Sequence, residues 1–190
     1  MAKPHIAVIV GSNRRDSINR KLARALIKLG AAAFDAAIVR IDDLPMFNQD
    51  LENSLPAEVV RYKNELAAAD GVLIVTPEHD RSIPALLKNA VDWGARPYGK
   101  NSWAGKPAFI TGTSPGAIGS ALAQQHLRSI MVSLGVVLLG GDAYVTFKPE
   151  LVDDEGNIGD ESTRAFLKGF LDRFAVLVER LSAKTERAAA

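Results

Sequence analysis

Between Gly11 and Asn19 the chain reads Gly-Ser-Asn-Arg-Arg-Asp-Ser-Ile-Asn, so two serines, two asparagines and two arginines stand directly ahead of a segment with helical periodicity. These residue types in that place suit an anion. Free backbone N–H groups and the positive end of a helix dipole attract a phosphate, hydroxyls donate to its oxygens, and a guanidinium adds a charge-assisted bond. Ser12, Arg14, Ser17 and Asn19 are the candidate ligands. The segment also reads as an ordinary helix start, with Asp16 or Ser17 as the cap and the arginines solvated. The loop has neither the Gly-Lys-Ser/Thr ending of a triphosphate-binding loop nor the Gly-x-Gly-x-x-Gly of a dinucleotide fold, which turns the reading toward a monophosphate.

Little else in the sequence competes with that loop for chemistry. Cysteine is absent, which excludes disulfides, thiolate metal sites, dithiol exchange and a cysteine nucleophile, so any redox function needs a bound cofactor. His5, His79 and His126 fall on separate elements, carboxylates are scattered, and no protein-bound metal is expected. Ser114 lies outside any G-x-S-x-G elbow, so an esterase triad has little support. Lys and Arg number 23 against 22 Asp and Glu, and a net charge of +1 favours a small-molecule ligand over nucleic acid or a charged membrane. The apolar run between His5 and Gly11 is too short for a signal-peptide core or a membrane span, so a cytoplasmic location is expected.

The elements that must position the loop follow from periodicity. His5 to Val10 is a short β-branched run, the pattern of a strand buried on both faces, and a helix from Ser17 carries Ile18, Leu22, Ala25, Leu26 and Leu29 toward Gly30. The same strand, loop, helix unit recurs. Strands are expected over Ala37–Ile41, Gly71–Thr76 and Pro107–Thr111, with a polar loop from Asp42 to Pro56. Helices are expected over Ala57–Ala69, through Leu87, Ala90, Val91 and Trp93, and along Leu122, His126, Ile130, Met131 and Leu134. Val136–Val145 fits a fifth strand that begins or bends at Gly140-Gly141, and a last helix runs from about Asp160 to Leu181. The expectation is one α/β domain over residues 1–190, with a frayed tail from about 183. Its doubly wound parallel sheet has order 2-1-3-4-5, with helices on both faces. In that order the switch point falls between the first and third strands, so a ligand should lie at the loops after Val10 and Thr76.

These loops resemble those of the NADPH-dependent FMN reductase family, which includes quinone, chromate and azo-dye reductases with a flavodoxin-like fold. The family's first loop is similar to G-S-x-R-x-x-S-x-N, matched here by Gly11, Ser12, Arg14, Ser17 and Asn19. A second motif, similar to T-P-E-Y-N-x-S-x-P-x-x-L-K-N-x-x-D-W, appears as Thr76-Pro-Glu-His-Asp-Arg-Ser-Ile-Pro-Ala-Leu-Leu-Lys-Asn-Ala-Val-Asp-Trp93. A third, a glycine-containing loop leading into A-Q-x-H-L-R, appears as Gly116-Ala-Ile-Gly-Ser-Ala-Leu-Ala-Gln-Gln-His-Leu-Arg128. The resemblance implies flavin mononucleotide (FMN) as cofactor, its phosphate on Ser12, Arg14, Ser17, Ile18 and Asn19. It implies an isoalloxazine ring beside Pro77, Glu78, His79 and Asp80, closed from the other side by Thr113, Ser114 and Gly116. His79-Asp80 stands where the family has Tyr-Asn, and an ionised aspartate near the pyrimidine end would disfavour the anionic reduced flavin.

What the resemblance implies is an NAD(P)H:acceptor oxidoreductase in which the flavin carries the chemistry and no side chain is catalytic. NADPH or NADH is the co-substrate, quinones are the acceptors, and chromate, other metal oxyanions, ferric chelates or azo compounds extend the range. One open ring face would make the kinetics ping-pong. A homodimer or dimer of dimers is implied, with Arg128 on the fourth helix pairing a carboxylate of the other subunit. Arg15, Arg81 and Arg96 are the arginines considered for a 2′-phosphate. Two other readings stand beside this one: an electron-transfer flavodoxin, against which the near-neutral charge argues, and a flavin-free regulatory protein on the same fold.

Overall fold

The computed structural model describes residues 3–189, with side chains described as far as residue 182. Strand β1 (His5–Val10) pairs in parallel with β2 (Asp35–Val39) on one side and β3 (Gly71–Val75) on the other; β3 pairs with β4 (Pro107–Ser114). The outer edge of β4 is taken by two short parallel strands, β5 (Val137–Leu138) against its start and β6 (Tyr144–Thr146) against its end. The sheet order is therefore β2-β1-β3-β4-β5, the expected doubly wound arrangement.

Alternation along the strands divides the core into two layers. Ile6, Val8 and Val10 of β1 pack with Leu22 and Leu26 of α1 (Ile18–Gly30) and with Leu171 and Phe174 of the last helix, α5 (Glu161–Ala189). Ala7 and Ile9 face the opposite layer, where α2 (Ala57–Ala68), α3 (Ala85–Ala95) and α4 (Ala121–Ser133) contribute Tyr62, Leu66, Leu87, Val91, Leu127 and Met131. Trp93 and Trp103 are fully buried in that second layer, each indole donating to a backbone carbonyl, Pro45 and Val91 respectively, so neither is a stacking partner for a ligand.

Several expectations are corrected. The second strand starts at Asp35 rather than Ala37 and ends at Val39 rather than Ile41, because pairing with β1, not its weak Ala-rich pattern, sets its register from His5↔Asp35. The polar loop after it holds a 3-10 turn over Gln49–Asn53. The fourth strand runs three residues past Thr111, which puts Thr113 and Ser114 in strand rather than loop. The single fifth strand is split. Gly141 takes φ +95°, and Arg128 donates to the carbonyls of Leu139 (3.2 Å) and Gly141 across the break. Asp142 lies 3.8 Å from the same guanidinium. The tail expected to fray, 183–190, lies outside the residues described in full.

Candidate functional site

Parallel pairing in register brings the C-terminal ends of β1, β3 and β4 level: Val10 lies opposite Val75, and Val75 opposite Thr111. The loops that leave these ends are tied edge to edge. Gly11 N–H donates to Val75 O (2.9 Å) and Thr76 N–H to Thr111 O (3.0 Å). Gly112 lets β4 approach the start of the second loop, since a Cβ there would overlap the Thr76 carbonyl oxygen and crowd Ser120 Oγ. A glycine inside a strand pattern was the available sequence sign of that close approach.

The first loop supplies donors. Ser17 caps α1, its buried hydroxyl oxygen accepting from Arg20 N–H (3.2 Å), and its own O–H remains available as a donor. Lys21 N–H is satisfied by Ser17 O (3.0 Å). Among the described residues, no protein acceptor meets the backbone N–H groups of Arg15, Asp16, Ser17, Ile18 or Asn19. A run of unpaired N–H groups at a helix N-terminus is what a phosphate monoester satisfies. Ser12 is half-buried beside it and Arg14 is exposed. Asn19 stands apart from the others. Its buried side chain donates to Thr113 O and accepts from Thr113 N–H, both at 2.9 Å, so it joins the first loop to β4.

The second loop spends its polar groups on itself and on α4. His79 and Ser82 exchange backbone hydrogen bonds (3.0 and 2.8 Å) around Asp80 and Arg81, which both hold positive φ, +48° and +64°. That is a tight two-residue turn of the kind asparagine and glycine usually occupy. The Glu78 carboxylate, 8% exposed, accepts from the N–H groups of Leu122 (2.9 Å) and Ala123 (3.3 Å) and so caps α4, whose own Ser120 makes no side-chain cap. Its other oxygen meets Arg81 at 3.2 Å. Ser82 Oγ lies 3.0 Å from His126 Nδ1 on α4, a tie absent from the candidates named above. Pro77 is half-buried before the turn.

The third segment closes the arrangement. Thr113 is fully buried in β4, Ser114 Oγ accepts from Gly116 N–H (3.1 Å), and the loop 115–118 is exposed. All three candidate groups therefore meet at one edge of the sheet, and the chemistry of the donors in the first loop fits the FMN phosphate.

Comparisons with known proteins agree. The model of the NADPH-dependent FMN reductase family matches residues 4–149. The chain is 47% identical over 174 residues to a 2-hydroxy-1,4-benzoquinone reductase from Burkholderia sp, covering 91% of this chain and 95% of that one. It is 45% identical over 176 residues to a quinone reductase of Pseudomonas putida, covering 92% and 94%. Among solved structures, the flavoenzyme NAD(P)H:(acceptor) oxidoreductase FerB from Paracoccus denitrificans superposes with a TM-score of 0.90 at 44% identity, covering 93% of this chain and 98% of that one. These likenesses show that the chain belongs to the NADPH-dependent FMN reductase family, as an oxidoreductase that uses FMN and NAD(P)H.

Proposed function

We propose that this protein reduces quinones with electrons from NAD(P)H by a ping-pong mechanism, and that chromate, ferric chelates and azo compounds are further acceptors. The observation that carries the reading is the run of unpaired N–H groups from Arg15 to Asn19 at the level where β3 and β4 end. When bound, FMN supplies the redox chemistry, accepting electrons from the nicotinamide and delivering them to the acceptor. The chain's own part is binding and orientation. The first loop and the Ser17 hydroxyl hold the phosphate with Ser12 and Arg14; the Pro77–Ser82 turn and the Ser114–Gly116 segment flank the ring. Relatives whose names record quinone reduction support this acceptor class.

With a flavin ring held between Pro77–Ser82 and Ser114–Gly116, one face would be left open, and donor and acceptor would have to use it in turn. The proposal includes a homodimer built on α4, where Leu122 and Val132 are 40% and 61% exposed. Steady-state turnover of the flavin-loaded protein with NADH and NADPH, against a quinone, a ferric chelate and chromate, tests the reading. Parallel double-reciprocal lines with the quinone are expected. Intersecting lines would remove the ping-pong mechanism, and no quinone turnover with either dinucleotide would remove the function. A sedimentation mass of one chain would remove the dimer.

A further inference from the structure

A cavity opens beside the loop after β1, on the β2 side of that strand. It has a volume of about 430 Å³ and is lined by Ser12, Arg20, Arg24 and Arg40, with Ile38 and Leu86 among its apolar walls. Volumes of this size hold small-molecule ligands, and the lining combines apolar side chains with three arginines. Ser12 belongs to the first loop and Leu86 to the first turn of α3, directly after the second loop, so the cavity touches both segments that flank the flavin.

Its charges are unevenly spent. Arg24 has no partner among the described residues. Arg20 donates only to a backbone carbonyl, Ser12 O at 3.4 Å. Arg40 is paired with Asp42 (2.9 Å), the one acidic residue lining the cavity, and that guanidinium holds the Asp42 carboxyl below the ordinary carboxylate range. Three cations against one anion leave the wall at +2, in a protein whose whole chain carries +1. Arginine in this setting recognises phosphate by paired N–H donors, and an arginine near the end of the second strand accommodates a 2′-phosphate in dinucleotide-binding folds.

The arginines considered from sequence are less suited. Arg96 is held by Glu52 at 2.6 Å and Arg81 by Glu78. Arg15, on the first loop, does not line the cavity. We propose that the cavity takes the adenosine 2′-phosphate end of NADPH, the adenine on the apolar floor of Ile38 and Leu86 and the phosphate on Arg24 and Arg20, giving the enzyme a preference for NADPH over NADH. This rests on the NAD(P)H-dependent flavin site proposed above.

The test measures binding and turnover on the flavin-loaded protein. Calorimetry with 2′,5′-ADP and with 5′-AMP should show the bisphosphate binding at least tenfold more tightly, and competitively with NADPH. Arg24→Ala should weaken 2′,5′-ADP about tenfold and raise KM for NADPH by a similar factor, with KM for NADH and the FMN Kd unchanged; Arg24→Glu should do more. Equal binding of the two nucleotides, or equal effects of Arg24→Ala on NADPH and NADH, would overturn the assignment. A fall in FMN affinity in Arg24→Ala would also overturn it, by making the cavity part of the flavin phosphate site. Failure of the underlying flavin reading looks different: the unsubstituted protein would then bind no FMN and turn over neither dinucleotide.

Discussion

The loop after β1 and the loop after β3 leave the same edge of the sheet, at the candidate site, and are built on opposite plans. From Arg15 to Asn19 the first loop leaves its backbone N–H groups without protein acceptors, so its binding capacity is donor capacity held open by the Ser17 cap. From Glu78 to Ser82 the second loop is internally closed: its carboxylate caps α4, its turn is bonded across His79 and Ser82, and Ser82 reaches His126. An anion can be caught by unspent donors, whereas a flat ring needs a wall that does not move. The second loop gains that stiffness at the cost of two non-glycine residues at positive φ, where the left-handed region disfavours a Cβ.

The change that should break the comparison altogether is Gly112→Ala. A methyl group there overlaps Thr76 O, which belongs to the root of the second loop, and its displacement should cost about 3 kcal/mol, or roughly 10 °C in Tm by calorimetry. FMN affinity should fall with it. Next comes the first loop alone. Arg14→Ala with Ser17→Ala should weaken FMN about 100-fold in a fluorescence titration, through two lost phosphate contacts. Of the pair, only Ser17→Ala should also lower stability, by about 1 kcal/mol, since it removes the α1 cap. Unchanged FMN affinity in the double variant would remove the phosphate assignment.

In the second loop the same measurements should separate differently. Glu78→Gln weakens a helix cap rather than a ligand contact, so it should cost about 1 kcal/mol of stability while FMN affinity moves less than about threefold. The smallest effects sharpen the contrast. Arg81→Gly relieves the positive φ but removes the ion pair with Glu78, so stability read from Tm should move by no more than about 0.5 kcal/mol, with little change in turnover. Asp80→Asn should leave Tm nearly unchanged yet raise the flavin potential, because a charge that opposes the anionic reduced flavin is removed; an unmoved potential would make Asp80 a turn residue only.

Much of this was legible in the chain. Runs such as Ile6–Val10 and Gly71–Val75 are buried on both faces, and their apolar continuity reports that directly. Local capping chemistry narrowed the α1 cap to Asp16 or Ser17, and the alternation of strands and helices indicated a doubly wound parallel sheet. What sequence alone determined, then, was the doubly wound plan and the place of a donor-rich loop at the start of α1, because both rest on neighbours in the chain. Tertiary structure decided which polar groups stay free. Asn19 carries the residue type of a phosphate ligand but is bonded to Thr113, 94 residues away, and Glu78 caps a helix 44 residues on. Arg20, Arg24 and Arg40 become one cavity wall only when α1 and the end of β2 pack side by side. Whether a side chain is a ligand or a strut depends on which partner reaches it first in space, and no local spacing encodes that.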